Sequence, residues 1–204
     1  RRSREPATMS CCCCGRSRAR YSGRLRVESA KLGDFEVDVP STTKLDREVD
    51  VLWVTPKATQ LEAALGLVPP ERLAGAVVVP LRNGLDHVGP LRARFGADSV
   101  LPGVVYVESE RVGVGRIRQP SAFAHVELAP GAQAGRLCAD LGAAGLTCDV
   151  GPSEQAVLLR KLATLAPVAP HDDRARGAAL GGRLRSTVAP PARGMHARGC
   201  GGRG

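Results

Sequence analysis

Two apolar runs, Val49–Val54 and Ala76–Leu81, dominate the hydrophobic pattern, the first broken only by Asp50. Neither alternates with polar residues, so each predicts a strand buried on both faces, as in a parallel sheet. Between them, Leu61, Ala64, Leu65 and Val68 fall on one stripe of a short helix over Thr59–Leu67. The result is a strand–helix–strand crossover whose right-handed closure sets both strand ends on one rim. Polar residues follow those ends: Lys57 and Gln60 after the first strand, Asn83 after the second. Ligands of open α/β sheets bind beyond the carboxyl ends of the strands. That rim is therefore the candidate site.

The flanking pattern extends the sheet. Leu25–Val39 predicts one or two short strands turning at Gly33-Asp34. Ser41–Glu48 is a polar connection. Asp86–Phe95 carries Val88, Leu91 and Phe95 at helical spacing, with Gly96 as the stop. Ser99–Leu128 alternates strands and turns and reads as an antiparallel extension. Its Gly113-Val114-Gly115 is a turn and not a phosphate loop, because no helix follows. Gln133–Leu141 predicts a helix and Leu146–Val150 a strand. A last helix starts at Pro152-Ser153-Glu154, with Ser153 as N-cap and the stripe Val157, Leu158, Leu162, Leu165.

Charge changes the picture at the ends only. Eight Arg against one Glu fill residues 1–26, and seven Arg against two Asp fill 171–204. They exceed the total of +9, so residues 27–170 carry −3. A basic total invites a nucleic-acid reading, but a mildly acidic middle removes most of that invitation and nucleic acid is not the expected partner. Arg-rich tails that bind nucleic acid around an inert α/β core are the alternative function. Of seven Cys, four are consecutive, Cys11–Cys14, without zinc or disulfide spacing. Cys138 and Cys148 are expected to be buried and reduced. His87 and His125 read as surface and strand residues, and no metal site is assigned. No apolar run has membrane-spanning length or the form of a signal peptide, so no membrane partner is expected and the cytoplasm is the default location.

VTPKATQ, then LRNGLDHVGPLRARFG, then VLPGVVYVESERVGVGRIRQ, then LLRKLATLAP together resemble the ketopantoate reductase (2-dehydropantoate 2-reductase) family over roughly Leu25–Ala169. The resemblance implies a Rossmann-type NADPH domain joined to a helical domain, with the active site between them. Reduction of a small 2-keto acid or lactone, on the route to pantothenate, is the implied activity. The expected fold class is therefore α/β, a partial Rossmann-type domain of parallel strands with an antiparallel extension. It lacks the first βαβ phosphate-binding unit and adds the start of a helical domain. The expected divisions are a disordered tail at 1–24, the NADP-binding part at 25–151, the first helix of the helical domain at 152–169, and a second disordered tail at 170–204.

By the same resemblance, Lys161 is the general acid that protonates the ketone oxygen as hydride arrives. Its neighbours Leu158 and Leu162 would leave it partly dry, with a lowered pKa. A Lys snorkelling from the rim of an amphipathic helix is the plainer alternative. Lys57 and Asn83 match residues beside the nicotinamide half of NADPH and the substrate carboxylate, one as a point charge and one as donor and acceptor. Gln60 would help hold the cofactor. Asn83-Gly84 also reads as a tight turn, and both roles are compatible.

Departures from the family bear on activity. No GxGxxG precedes Val27, although that loop brings backbone N–H groups to the cofactor pyrophosphate. Where many members carry Asn downstream of the lysine, this chain has Leu165 and Ala169, and residues 171–204 show no counterpart of the helical domain. The expectation is a chain inactive or impaired by itself. Both ends fit an out-of-frame translation: with GC-rich codons, Cys11–Cys14 shift to Leu-Leu-Leu-Arg and His171–Arg174 to Thr-Thr-Thr-Ala, as in the family at those places. Natural Arg/Gly-rich tails are the alternative.

Overall fold

The computed structural model describes residues 11–12 and 23–165. The chain divides into units 1–166 and 167–204, and the described residues all fall in the first. Strand β1 (Cys11–Cys12) pairs in parallel with β4 (Ser41–Thr42). Strands β2 (Gly23–Ser29) and β3 (Phe35–Val39) form the expected antiparallel hairpin, turning through Gly33 at φ 79°. The tail expected at 1–24 thus contributes two ordered pieces, β1 and the start of β2, where Arg24 reaches Glu36 across the hairpin at 3.2 Å. The other expectations for 1–22 and those for 166–204 lie outside the described residues.

Strands β5 (Val51–Val54) and β6 (Val77–Pro80) are parallel, Val51 opposite Val77 and Val54 opposite Pro80. A 3-10 turn, Ala58–Gln60, and helix α1 (Leu61–Leu65) connect them. Leu65 and Val68 pack with Val54, Val78 and Leu91, so the predicted stripe faces the core. In β6, Val78 and Val79 are fully buried, one on each face. β5 is not buried on both faces as expected: Trp53 is 37% exposed. Among the described residues β5 pairs only with β6, so it is an edge strand and its outer side lacks neighbours.

Helix α2 (Val88–Phe95) ends at Gly96, whose φ of 94° suits glycine alone. The bridges Val78–Val100 and Leu81–Gly103 lay β6 alongside the chain entering β7 (Gly103–Val107). Strands β8 (Glu110–Gly113) and β9 (Arg116–Gln119) form a hairpin around Val114-Gly115. β10 (Ala124–Leu128) then pairs antiparallel with β7, and β11 (Thr147–Val150) pairs parallel with β10. The main sheet runs β5-β6-β7-β10-β11. The antiparallel extension is only half as expected: β8 and β9 leave to join β2 and β3 in a second sheet, ordered β3-β2-β9-β8.

Helix α3 (Ala134–Ala143) covers one face of the main sheet, its Ala134 and Leu137 packing with Val79, Leu101, Val126 and Leu128. The other face carries α1, α2 and α4 (Glu154–Leu165). Ser153 caps α4 as expected, its Oγ accepting from the Ala156 N–H at 3.1 Å. Val157 and Leu158 are buried against Val104 and Val88. The predicted stripe is narrower than the pattern indicates, because Leu162 is 44% exposed. Cys138 and Cys148 are not free thiols: they form a disulfide joining α3 to β11, with Cα atoms 4.9 Å apart. Both are half-buried, because α3 lies directly over the strand that follows it.

Candidate active site

Parallel pairing alone brings three of the four expected residues to one rim. Lys57 stands three residues past Val54 and Asn83 three past Pro80, and those two strand ends are opposite each other. Neighbouring strands lie about 4.8 Å apart, so the two loops leave the sheet side by side. Lys57 opens the 3-10 turn and Gln60 closes it. All three side chains are exposed. Gly84 follows Asn83 with φ 91°, so the turn and a free amide coexist there.

Lys161 lies on α4, which packs over β7. Its Nζ donates to the Val105 carbonyl at 2.9 Å and sits 4.4 Å from the centre of the Tyr106 ring. Val105 is two residues past Gly103, and Asn83 is two past Leu81, the partner of Gly103. The lysine's anchor therefore lies on β7, two residues past the bridge to Leu81, and Asn83 lies in the turn that follows that bridge. Val88, five residues past Asn83, packs with Val104, Val157 and Leu158. Arg92 of α2 grips the Glu154 carboxylate with two bonds, at 3.1 and 2.5 Å. These contacts fix α4 against α2, the helix that follows the loop carrying Asn83.

Burial pushes the Lys161 pKa down. One of its three N–H groups is engaged by Val105, leaving two for an oxygen acceptor. A half-dry ammonium with a lowered pKa gives up a proton more readily than a solvated one. Beneath it, the Tyr106 hydroxyl is buried near Thr164, and its pKa is raised by burial and by the charge of Glu127. Glu127 is itself buried and held by Arg160 at 2.6 Å.

Sequence reasoning missed Tyr106, Arg82 and His87. His87 is not a surface residue: it is 4% exposed and held under the turn before α2, where burial first, then the charge of Arg82, push its pKa down. Arg82 is 9% exposed. Inward alternation continued past Val78 and Pro80 reaches position 82 and could have flagged it. Nothing in the sequence marks the burial of a guanidinium.

A three-layer arrangement with parallel strands and polar residues gathered past their carboxyl ends defines a partial Rossmann-like α/β protein. Residues 11–133 match the family described as ketopantoate reductase PanE/ApbA. The chain belongs to that family. Among solved structures it is similar to 2-dehydropantoate 2-reductase from Porphyromonas gingivalis W83 (TM-score 0.65, 21% identity, covering 76% of this chain and 57% of that one). It is similar also to a PanE/ApbA family ketopantoate reductase from Ralstonia eutropha JMP134 (0.56, 24%, 66% and 45%). A third is D-mandelate dehydrogenase in a ternary structure with NADH and anilino(oxo)acetate (0.58, 20%, 67% and 46%). The chain spans about half the length of these solved relatives. No curated protein sequence matches it. Among the described residues no helix is long and apolar enough to cross a membrane.

Proposed function

We propose that this chain carries the rim of an NADPH-dependent reductase of a small 2-keto acid or lactone, of the kind that makes pantoate. Family membership supports an oxidoreductase, and the NADH held by a neighbour of the same fold supports a nicotinamide cofactor. The observation that carries the reading is Lys161 Nζ at 2.9 Å from the carbonyl of Val105, on the strand bridged to Leu81 just before Asn83. Lys57, Gln60 and Asn83 would hold the nicotinamide half of the cofactor, Lys57 and Asn83 also meeting the substrate. When bound, the cofactor supplies the hydride. Lys161 keeps one N–H on Val105 and turns another toward the ketone oxygen, giving it a proton as negative charge develops there. The Tyr106 ring covers one side of the ammonium.

Residues 1–204 taken alone should turn over weakly, since no GxGxxG precedes Val27 to seat the pyrophosphate. The test is NADPH oxidation with ketopantoate, followed by absorbance, alongside NADPH titration of the labelled protein. The reading expects amide shifts at Lys57, Gln60 and Asn83, and any turnover to vanish in Lys161→Ala. Turnover that survives Lys161→Ala, or NADPH that moves none of those amides, removes it.

A further inference from the structure

Arg82 and His87 flank the Asn83-Gly84 turn, and each has a polar atom that nothing among the described residues satisfies. Arg82 Nη1 and His87 Nε2 are buried without hydrogen-bond partners. The residues are 9% and 4% exposed. Among the described residues no carboxylate pairs with Arg82. The Leu81–Gly103 bridge sets Arg82 beside Val104, on the sheet face that also bears Tyr106 and α4. Its charge bears on His87, opposed only by the weaker pull of exposed Asp86. Nearby, the acidic end of α4 is already spent, because Glu154 is held by Arg92. A guanidinium taken out of water without a counter-ion is costly to a fold, and a planar fork of donors is suited to an oxyanion.

We propose that Arg82, with His87 beside it, is the receptor for an oxyanion, either the carboxylate of a 2-keto acid or a phosphate of the cofactor. The guanidinium would offer its fork and His87 a ring N–H, next to the Asn83 amide. Only the source of the oxyanion rests on the reductase reading; the receptor itself does not.

The experiment is a titration of labelled 1–204, reading the Arg82 Nε and His87 ring resonances. Ketopantoate, NADPH and inorganic phosphate are added in separate arms. Saturable shifts of both residues are expected, and Arg82→Gln should weaken the effective ligand at least tenfold while Arg82→Lys retains part of it. A response to ketopantoate identifies the carboxylate; a response to NADPH and phosphate only identifies the phosphate. Thermal unfolding accompanies the titration, and Arg82→Gln should not lower Tm, since it removes an unpaired buried charge. No shift with any of the three, unchanged affinity in Arg82→Gln, or a lowered Tm with unchanged affinity each overturns the receptor. Oxyanion binding that depends on Arg82, with turnover that survives Lys161→Ala, would leave it standing and count against the reductase; turnover with an unchanged KM in Arg82→Gln would do the reverse.

Discussion

Lys161 stands over Tyr106, its ammonium 4.4 Å from the ring centre, while the same nitrogen donates to the carbonyl of the preceding residue in β7. One strand thus offers an ammonium both a ring face and a lone pair, which holds a flexible side chain in one place. Tyr106→Leu should release it. A Tyr106→Leu variant that retains all the Lys161-dependent activity of the chain would show that the ring is dispensable, whereas Tyr106→Phe should keep most of it.

The lowered pKa of Lys161 has a defined sign in stability. Unfolded, the side chain titrates near its ordinary 10.5; folded, burial makes it lose its proton earlier. Between the two values the unfolded chain binds the extra proton, so stability rises with pH across that window. Relative to Lys161→Met, the wild type should gain ground as pH climbs toward 10.5. Denaturant curves for the two proteins that stay parallel from pH 7 to 10.5 would contradict it.

Glu127 is buried under α4 with Arg160 at 2.6 Å, yet the Arg160 side chain is 56% exposed. Arg160→Met leaves a buried carboxylate without its partner. Breaking a buried pair costs about 3–5 kcal/mol, and solvent at Arg160 reduces this to about 1–3 kcal/mol. Adding Glu127→Gln should recover most of the loss. Urea unfolding of the single and double variants measures it, and a double variant no better than Arg160→Met would argue against the pair.

Gly151 joins β11 to α4, where an added Cβ would overlap Val157 Cγ2 and come within 3.0 Å of Glu127 Oε1. Gly151→Ala must push α4 outward, at about 1–3 kcal/mol for overpacking. Since α4 carries Lys161, the variant should lose activity as well as Tm. Unchanged Tm and an unchanged lysine resonance would show that the junction has slack.

The disulfide closes a short loop, Cys138 to Cys148, ten residues apart. A link of that span contributes about 2–3 kcal/mol by restricting the unfolded chain. Reduction, or Cys138→Ser with Cys148→Ser, should lower Tm without moving Lys161, because α3 packs on the opposite face of the sheet. Equal unfolding of oxidised and reduced protein would remove this contribution.

Much of the fold was legible because hydrophobic period reports local geometry. The uninterrupted run around Val78 matched a strand with two covered faces, and Ser153 before an apolar stripe matched a helix start. Lys57, Gln60 and Asn83 were legible for the same reason, since residues just past paired parallel strands share a rim whatever covers the sheet. Period could not show that β8 and β9 leave for a second sheet, because partner choice is made by the whole chain. It could not show the exposure of Trp53, since an edge strand and a central one share one pattern. Nor could spacing join Cys138 to Cys148.

The sequence by itself determined the order of strands and helices and which polar residues stand at the strand ends, since each follows from nearest-neighbour chemistry along the chain, and its motifs carried the resemblance to the family. The tertiary structure alone decided that Lys161 meets Tyr106 and that Arg82 Nη1 and His87 Nε2 are buried without partners among the described residues. Those depend on which face of a sheet meets which helix, and contacts between residues 56 positions apart, such as Lys161 with Val105, leave no periodic trace in a sequence.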